Sequence, residues 1–161
     1  MKKFLRILSL FLISFPILKG EKVQSFVPYY YFPTIENLQR ESLSIGKSAY
    51  QLIYFGKYTE GLNLAKLAIK INKTDEKLWL ILAEAQAANQ LYKNALNSLN
   101  KAQKINSKIS EIYFAKSDIY LKISQQTKAK SALEKGIKID PNNHKAIFQL
   151  GNIFLMEKNY L

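Results

Sequence analysis

Residues 110–143 read SEIYFAKSDIYLKISQQTKAKSALEKGIKIDPNN, and this stretch is one of three in gap-free 34-residue register. Laid under 42–75 and 76–109, with 144–161 beneath, its columns agree in side-chain size. Position 4 holds Ile45, Trp79, Tyr113 and Ile147, while position 8 holds the small residues Ala49, Ala83, Ser117 and Gly151. Position 11 carries Leu52, Gln86, Tyr120 and Phe154. Positions 20 and 27 are small again (Gly61, Ala95, Ala129; Ala68, Ala102, Gly136), and position 24 carries Ala65, Leu99 and Leu133. A fixed period of this length marks stacked supersecondary units that bury their apolar faces only against neighbours. Small side chains at 8, 20 and 27 let two antiparallel helices approach closely, and large ones at 4, 11 and 24 fill the space beside them. Asp140-Pro141-Asn142-Asn143 ends one helix and opens the next, because proline cannot continue a helix and asparagine caps one.

The pattern resembles that of the tetratricopeptide repeat (TPR) family, W-x2-L-G-x2-Y, then A-x3-F, then A, then P, over residues 42–161. The resemblance implies an all-α fold, a right-handed α-solenoid of antiparallel helix pairs. TPR 1 is expected at 42–75, TPR 2 at 76–109, TPR 3 at 110–143, and the first helix of a fourth at 144–161. Departures are local: Gly61 where alanine is usual, Ser48 and Lys116 at position 7, and Lys73 and Ser107 in place of proline at position 32. Ile35, Leu38, Ser42, Ile45, Ala49 and Leu52 share one helical stripe, so the first helix is expected to begin near Thr34, within the segment 26–41. At the other end Ile147, Gly151 and Phe154 are expected to face a partner helix beyond position 18 of the fourth repeat. Two readings follow: a truncated product of a longer protein, or self-association through the uncovered last helix.

Upstream of the repeats, residues 1–25 read as a signal peptide or membrane anchor. A basic start (Lys2, Lys3, Arg6) precedes an apolar run over 7–18, short for a spanning helix and apt for a signal core. Cleavage, if it occurs, is expected after Ser25, and either reading makes the chain exported or membrane-anchored (periplasm, thylakoid or envelope). Between them lies Phe26-Val-Pro-Tyr-Tyr-Tyr-Phe-Pro33, whose prolines forbid a continuous helix. This aromatic arm reads either as a cap folded onto the first helices or as a strap at a membrane interface.

The family's groove is lined by first-helix positions 2, 5, 9, 12 and 13, and the resemblance carries that role onto this chain. The groove residues it implies include Tyr50 and Tyr54 in TPR 1, then Lys77, Leu80 and Glu84 in TPR 2. TPR 3 supplies Phe114, Asp118 and Lys122, and the fourth repeat supplies Phe148 and Asn152. Cations and anions balance across the groove, which suits a protein or peptide ligand anchored by apolar side chains. Some family members clamp a ligand's C-terminal carboxylate with lysine at position 5 and asparagine at position 9. Gly46 and Tyr50 stand there in TPR 1, so that ligand is not expected.

Chemistry is expected to be absent. Cysteine is missing, and the one histidine, His144, opens a helix with no partner nearby in sequence. Glu84 and Asp118 occupy equivalent positions on neighbouring repeats, where an open groove is expected to supply neither a pocket nor a raised pKa. No phosphate loop, nucleophile elbow or metal-ligand cluster stands in the sequence. The chain therefore reads as no enzyme, with no catalytic residue, cofactor or metal, and as a scaffold or assembly factor.

The net charge of +12 comes from 24 Lys and Arg against 12 Asp and Glu, and 22 of those cations are lysine. Eighteen Ile and twelve Asn accompany them, the signature of AT-rich codon supply. Lys66, Lys70, Lys73, Lys101, Lys104, Lys108, Lys130, Lys135 and Lys138 fall on second helices or the turns after them, the outer face of a solenoid. That face lacks arginine forks and stacked aromatics, so no specific nucleic-acid partner is expected. A solvated surface is the plain reading, and an anionic membrane surface is the other partner it suits. The second functional reading is accordingly a peripheral membrane or envelope structural protein, held by its aromatic arm and lysine-rich convex face.

Overall fold

A computed structural model describes residues 34–159 of the chain. The expected targeting segment and the aromatic arm lie outside the described residues. Seven helices run through the described residues: α1 (Ile35–Tyr54), α2 (Tyr58–Ile71), α3 (Glu76–Ala88), α4 (Tyr92–Ile105), α5 (Ser110–Lys122), α6 (Gln126–Ile139) and α7 (His144–Asn159). Among them, none is long and apolar enough to cross a membrane. The pairs α1/α2, α3/α4 and α5/α6 pack as antiparallel hairpins. The first helices also touch along the row, α1 against α3 and α3 against α5, which makes them the tighter, inner layer.

Each hairpin turns in the same way. Lys57 N–H donates to the Leu52 carbonyl and Gly56 N–H to that of Ile53. The same pair of bonds recurs from Leu91 to Gln86 and Gln90 to Ala87, and from Gln125 to Tyr120 and Ser124 to Leu121. This is the Schellman arrangement, which satisfies the last carbonyls of a helix by placing one residue in the left-handed region. That residue sits at position 15 in every full repeat: Gly56, Gln90 and Ser124, with φ of 76°, 61° and 58°. Helix starts are capped locally. Thr34 Oγ1 accepts from Asn37 N–H, Asp75 from Lys77 N–H, and Asn143 Oδ1 from Ala146 N–H.

The small positions do what their size permits. Ala49, Ala83, Ser117, Ala95, Ala129, Ala68 and Ala102 are all buried, with Leu99 and Leu133 filling position 24 between them. Gly61 answers its own departure from alanine: a Cβ there would lie 3.0 Å from the Ala49 carbonyl oxygen, so α2 approaches the α1 backbone more closely than alanine allows. The missing prolines are answered too. Trp79 Nε1 donates to the Lys73 carbonyl and Tyr113 Oη to that of Ser107, so an aromatic at position 4 pins the preceding position 32 in both repeats. Gln86, polar at a position that takes large side chains, accepts from the buried Ser98 hydroxyl at 2.7 Å.

One expectation changes at the start of α1, while the last helix is uncovered as expected. The α1 stripe holds for Ser42, Ile45, Ala49 and Leu52, but Ile35 is 77% exposed and Leu38 is exposed with it. The reason is length: α1 has 20 residues and its partner α2 has 14, so the first turns of α1 run past it. On α7, Ile147 and Phe154 are exposed, and a Cβ on Gly151 would meet nothing within 4 Å. Lys130 partly shields that edge, with its ammonium 4.1 Å from the Phe154 ring centroid and 2.8 Å from Glu157.

Candidate functional site

The inner layer carries two depressions that share one residue. One, of about 360 Å³, is lined by Lys47, Tyr50 and Gln51 of α1 with Lys77, Leu80, Ile81 and Glu84 of α3. The other, of about 230 Å³, is lined by Ala83, Glu84, Ala87 and Ala88 of α3 with Ala115, Asp118, Ile119 and Lys122 of α5. Glu84 belongs to both. Alanines at 87, 88 and 115 leave the second depression open, where larger side chains would close it.

Burial pushes the Glu84 carboxyl up to about 7, from an ordinary 4.5. Among the described residues no hydrogen bond or ion pair partners it. Asp118 differs in that its Oδ1 accepts from Gln149 Nε2 of α7 at 3.0 Å. The expectation that the groove supplies neither a pocket nor a raised pKa is thus corrected on both counts. Stacking of α3 on α5 over small side chains sinks Glu84 below the surface, which spacing along the sequence does not reveal.

Of the expected groove residues, the structure brings Tyr50, Lys77, Leu80 and Glu84 together in the first depression, and Glu84, Asp118 and Lys122 in the second. Phe114 lines neither depression. Its ring lies over Gly136 of α6 and packs against the cluster formed by Ala129 and Leu133 of α6 with Ala146 and Ile153 of α7. Tyr54 and Phe148 line neither depression; they stand 79% and 70% exposed, Tyr54 edge-to-face with Phe55 at 5.5 Å. Asn152 is half-buried and lines neither one. His144 is exposed at the first residue of α7. Ala87 and Ala88 hold groove positions 12 and 13 and line the second depression as the resemblance implies, whereas Ile81, Ala83 and Ala115 line the depressions from positions outside that set.

A tetratricopeptide repeat family model matches residues 110–143. Sperm-associated antigen 1 of Rattus norvegicus is 40% identical over 82 residues, which cover 48% of this chain and 9% of that protein. Anaphase-promoting complex subunit 3 of Schizosaccharomyces pombe is 24% identical over 104 residues, covering 65% of this chain and 16% of that protein. The chain thus matches only a small part of the length of these curated relatives. Among solved structures, the first TPR of Spaghetti (RPAP3) bound to the HSP90 peptide SRMEEVD superposes with a TM-score of 0.69 at 18% identity. That match covers 74% of this chain and 95% of that one. The type III secretion chaperone SycD of Yersinia enterocolitica, in complex with a peptide of the translocator YopD, gives 0.64 at 17% identity, covering 71% and 92%. These low identities speak for the fold alone. With the repeat register, the recurring turns and the matched family pattern in agreement, the chain is a tetratricopeptide repeat protein.

Proposed function

We propose that the chain is a non-catalytic protein-interaction module that binds a peptide segment along its inner layer, with a basic side chain of that peptide seated between Glu84 and Asp118. The observation that carries this reading is the pair of depressions joined at Glu84. Tyr50, Leu80 and Ile81 offer apolar contact for an anchor residue, and the alanine floor accepts the aliphatic stem of a lysine or arginine. A bound cation would also relieve Glu84, which burial otherwise holds near neutrality. Two proteins of this fold are described as bound to peptides, SRMEEVD in one and a YopD peptide in the other, and that supports a peptide as the class of ligand.

The test is fluorescence anisotropy with three peptide pools of apolar residues carrying a central arginine, glutamine or glutamate. The arginine pool binds about tenfold more tightly than the glutamine pool at pH 8, an electrostatic preference of about 1.4 kcal/mol. Glu84→Gln removes the preference, and Leu80→Ala weakens all pools. Equal binding of the three pools, or binding indifferent to Leu80, overturns the reading. The export or membrane anchoring expected from residues 1–25 remains a proposal of its own, tested by fractionation of cells expressing the full chain.

A further inference from the structure

Position 7 of the repeat holds the uncharged residues Ser48, Leu82 and Leu150, yet Lys116 occupies it in the third repeat. Lys116 is 9% exposed, in a place where an ammonium group is costly unless it is paired. Among the described residues no carboxylate lies within ion-pair distance of it; the ion pairs there are Arg40–Glu36 and Lys130–Glu157. Its hydrogen-bond partner is the neutral Gln103 side-chain oxygen on α4. Where an anion would be expected, more cations appear. Lys128 and Lys135 of α6 line the same cavity of about 220 Å³, along with Gln103, Tyr120 and Ser131. Burial first, and the charge of Lys135 second, hold the Lys116 ammonium below the usual lysine range. The cavity lies in the wedge of α4, α5 and α6 and shares no lining residue with the inner-layer depressions.

We propose that this wedge binds a phosphate group, held by Lys116 at its buried end and by Lys128, Lys135 and the Ser131 hydroxyl nearer its mouth. Three cations around one cavity with no anion among its lining residues form an imbalance that a bound anion reduces. The cavity is smaller than the 300–1,000 Å³ typical of drug-sized ligands, so it suits one compact charged group. A phosphate carries about one and a half to two negative charges at neutral pH, more than the single charge of a carboxylate, and so suits a site with more than one lysine. Lysine binds phosphate as a point charge and needs no fork geometry. Retaining a buried lysine at a position that takes leucine in the second and fourth repeats and serine in the first is explained by a ligand that pairs with it.

The test is thermal denaturation and isothermal titration of the full chain with sodium phosphate and, separately, glycerol phosphate, each against sodium chloride of matched ionic strength. Saturating phosphate raises Tm by about 3 °C or more. A larger shift with the inorganic ion identifies free phosphate as the ligand, and a larger shift with glycerol phosphate identifies a monoester. Lys116→Met, which places an apolar chain of similar length at an apolar position, abolishes the shift and raises Tm in chloride alone. Lys128→Gln/Lys135→Gln, both at exposed positions that folding does not need, weakens binding at least about tenfold by titration. Lys66→Gln, on α2 away from the wedge, leaves it unchanged. No shift with either anion overturns the proposal, as does a shift that persists at full size in Lys116→Met or in the double variant.

Discussion

The Phe114 ring occupies the space that a side chain at residue 136 would need. A Cβ placed on Gly136 would lie 2.7 Å from Phe114 Cδ1 and closer still to Cε1. The other full repeats pair these positions differently, with Ala68 and Ala102 at position 27 and Gly46 and Leu80 at position 5. Repeat 3 thus trades a methyl on one helix for an aromatic ring on the other.

That exchange has a sign that can be measured. In an ordinary helix Gly→Ala gains about 1 kcal/mol, but Gly136→Ala drives the new methyl into a ring packed on Ala129 and Leu133. Gly136→Ala is expected to lose about 1–3 kcal/mol by chemical denaturation. In a Phe114→Leu background the same substitution should become neutral or stabilising, and loss of stability in both backgrounds would refute the pairing.

The turn residues make a second case. Gln90 and Ser124 hold left-handed φ at the position where the first repeat has Gly56. Ser124→Gly and Gln90→Gly should each stabilise by about 0.5–1 kcal/mol, since glycine adopts this conformation at no steric cost. Gly56→Ala should destabilise by about 1–2 kcal/mol. Thermal unfolding of the three single variants decides it.

Glu84 predicts a pH dependence. Its folded pKa, about 7, lies above the ordinary 4.5, so between those values the folded chain holds more protons than the unfolded one. The neutral-acid contribution is fully present below about 4.5 and is lost as pH rises through about 7. Glu84→Gln should therefore stabilise by about 1–3 kcal/mol at pH 8 and by little at pH 4. A gain independent of pH would mean that packing, not ionisation, is responsible.

Ser117 is buried with its Oγ unpartnered among the described residues. A hydroxyl without a partner in the core costs more than the space it fills, so Ser117→Ala should raise stability by about 1 kcal/mol. Equilibrium unfolding that shows a loss would point to a hydrogen bond that this hydroxyl makes.

The indole of Trp79 ties α3 to the preceding turn through the Lys73 carbonyl, and Lys101 stacks over it at 4.3 Å. Trp79→Phe keeps the apolar bulk but removes the donor, and should cost about 1–2 kcal/mol. Hydrogen exchange should quicken at Thr74 and Asp75 in that variant and stay unchanged around Ser107, where Tyr113 makes the equivalent bond.

Much of this molecule was legible from spacing alone. The 34-residue register, the small residues at 8, 20 and 27, and the start of α1 after Thr34 are local or periodic facts. Side-chain size alone decides how closely two helices can approach. Whether a groove residue reaches the groove is another matter. Phe114 and Tyr50 hold standard groove positions, yet one turns onto α6 because Gly136 makes room and the other stays beside Leu80.

Charge behaved in the same way. The sequence by itself determined the repeat, the helix pairs and the excess of lysine. Only the tertiary structure decided that Glu84 would be half-buried where two depressions meet, one of them alanine-lined, and that Lys116 would share a cavity with Lys128 and Lys135. Composition counts charges, but their energies depend on distance and on the water excluded around them, and packing between neighbouring repeats sets both.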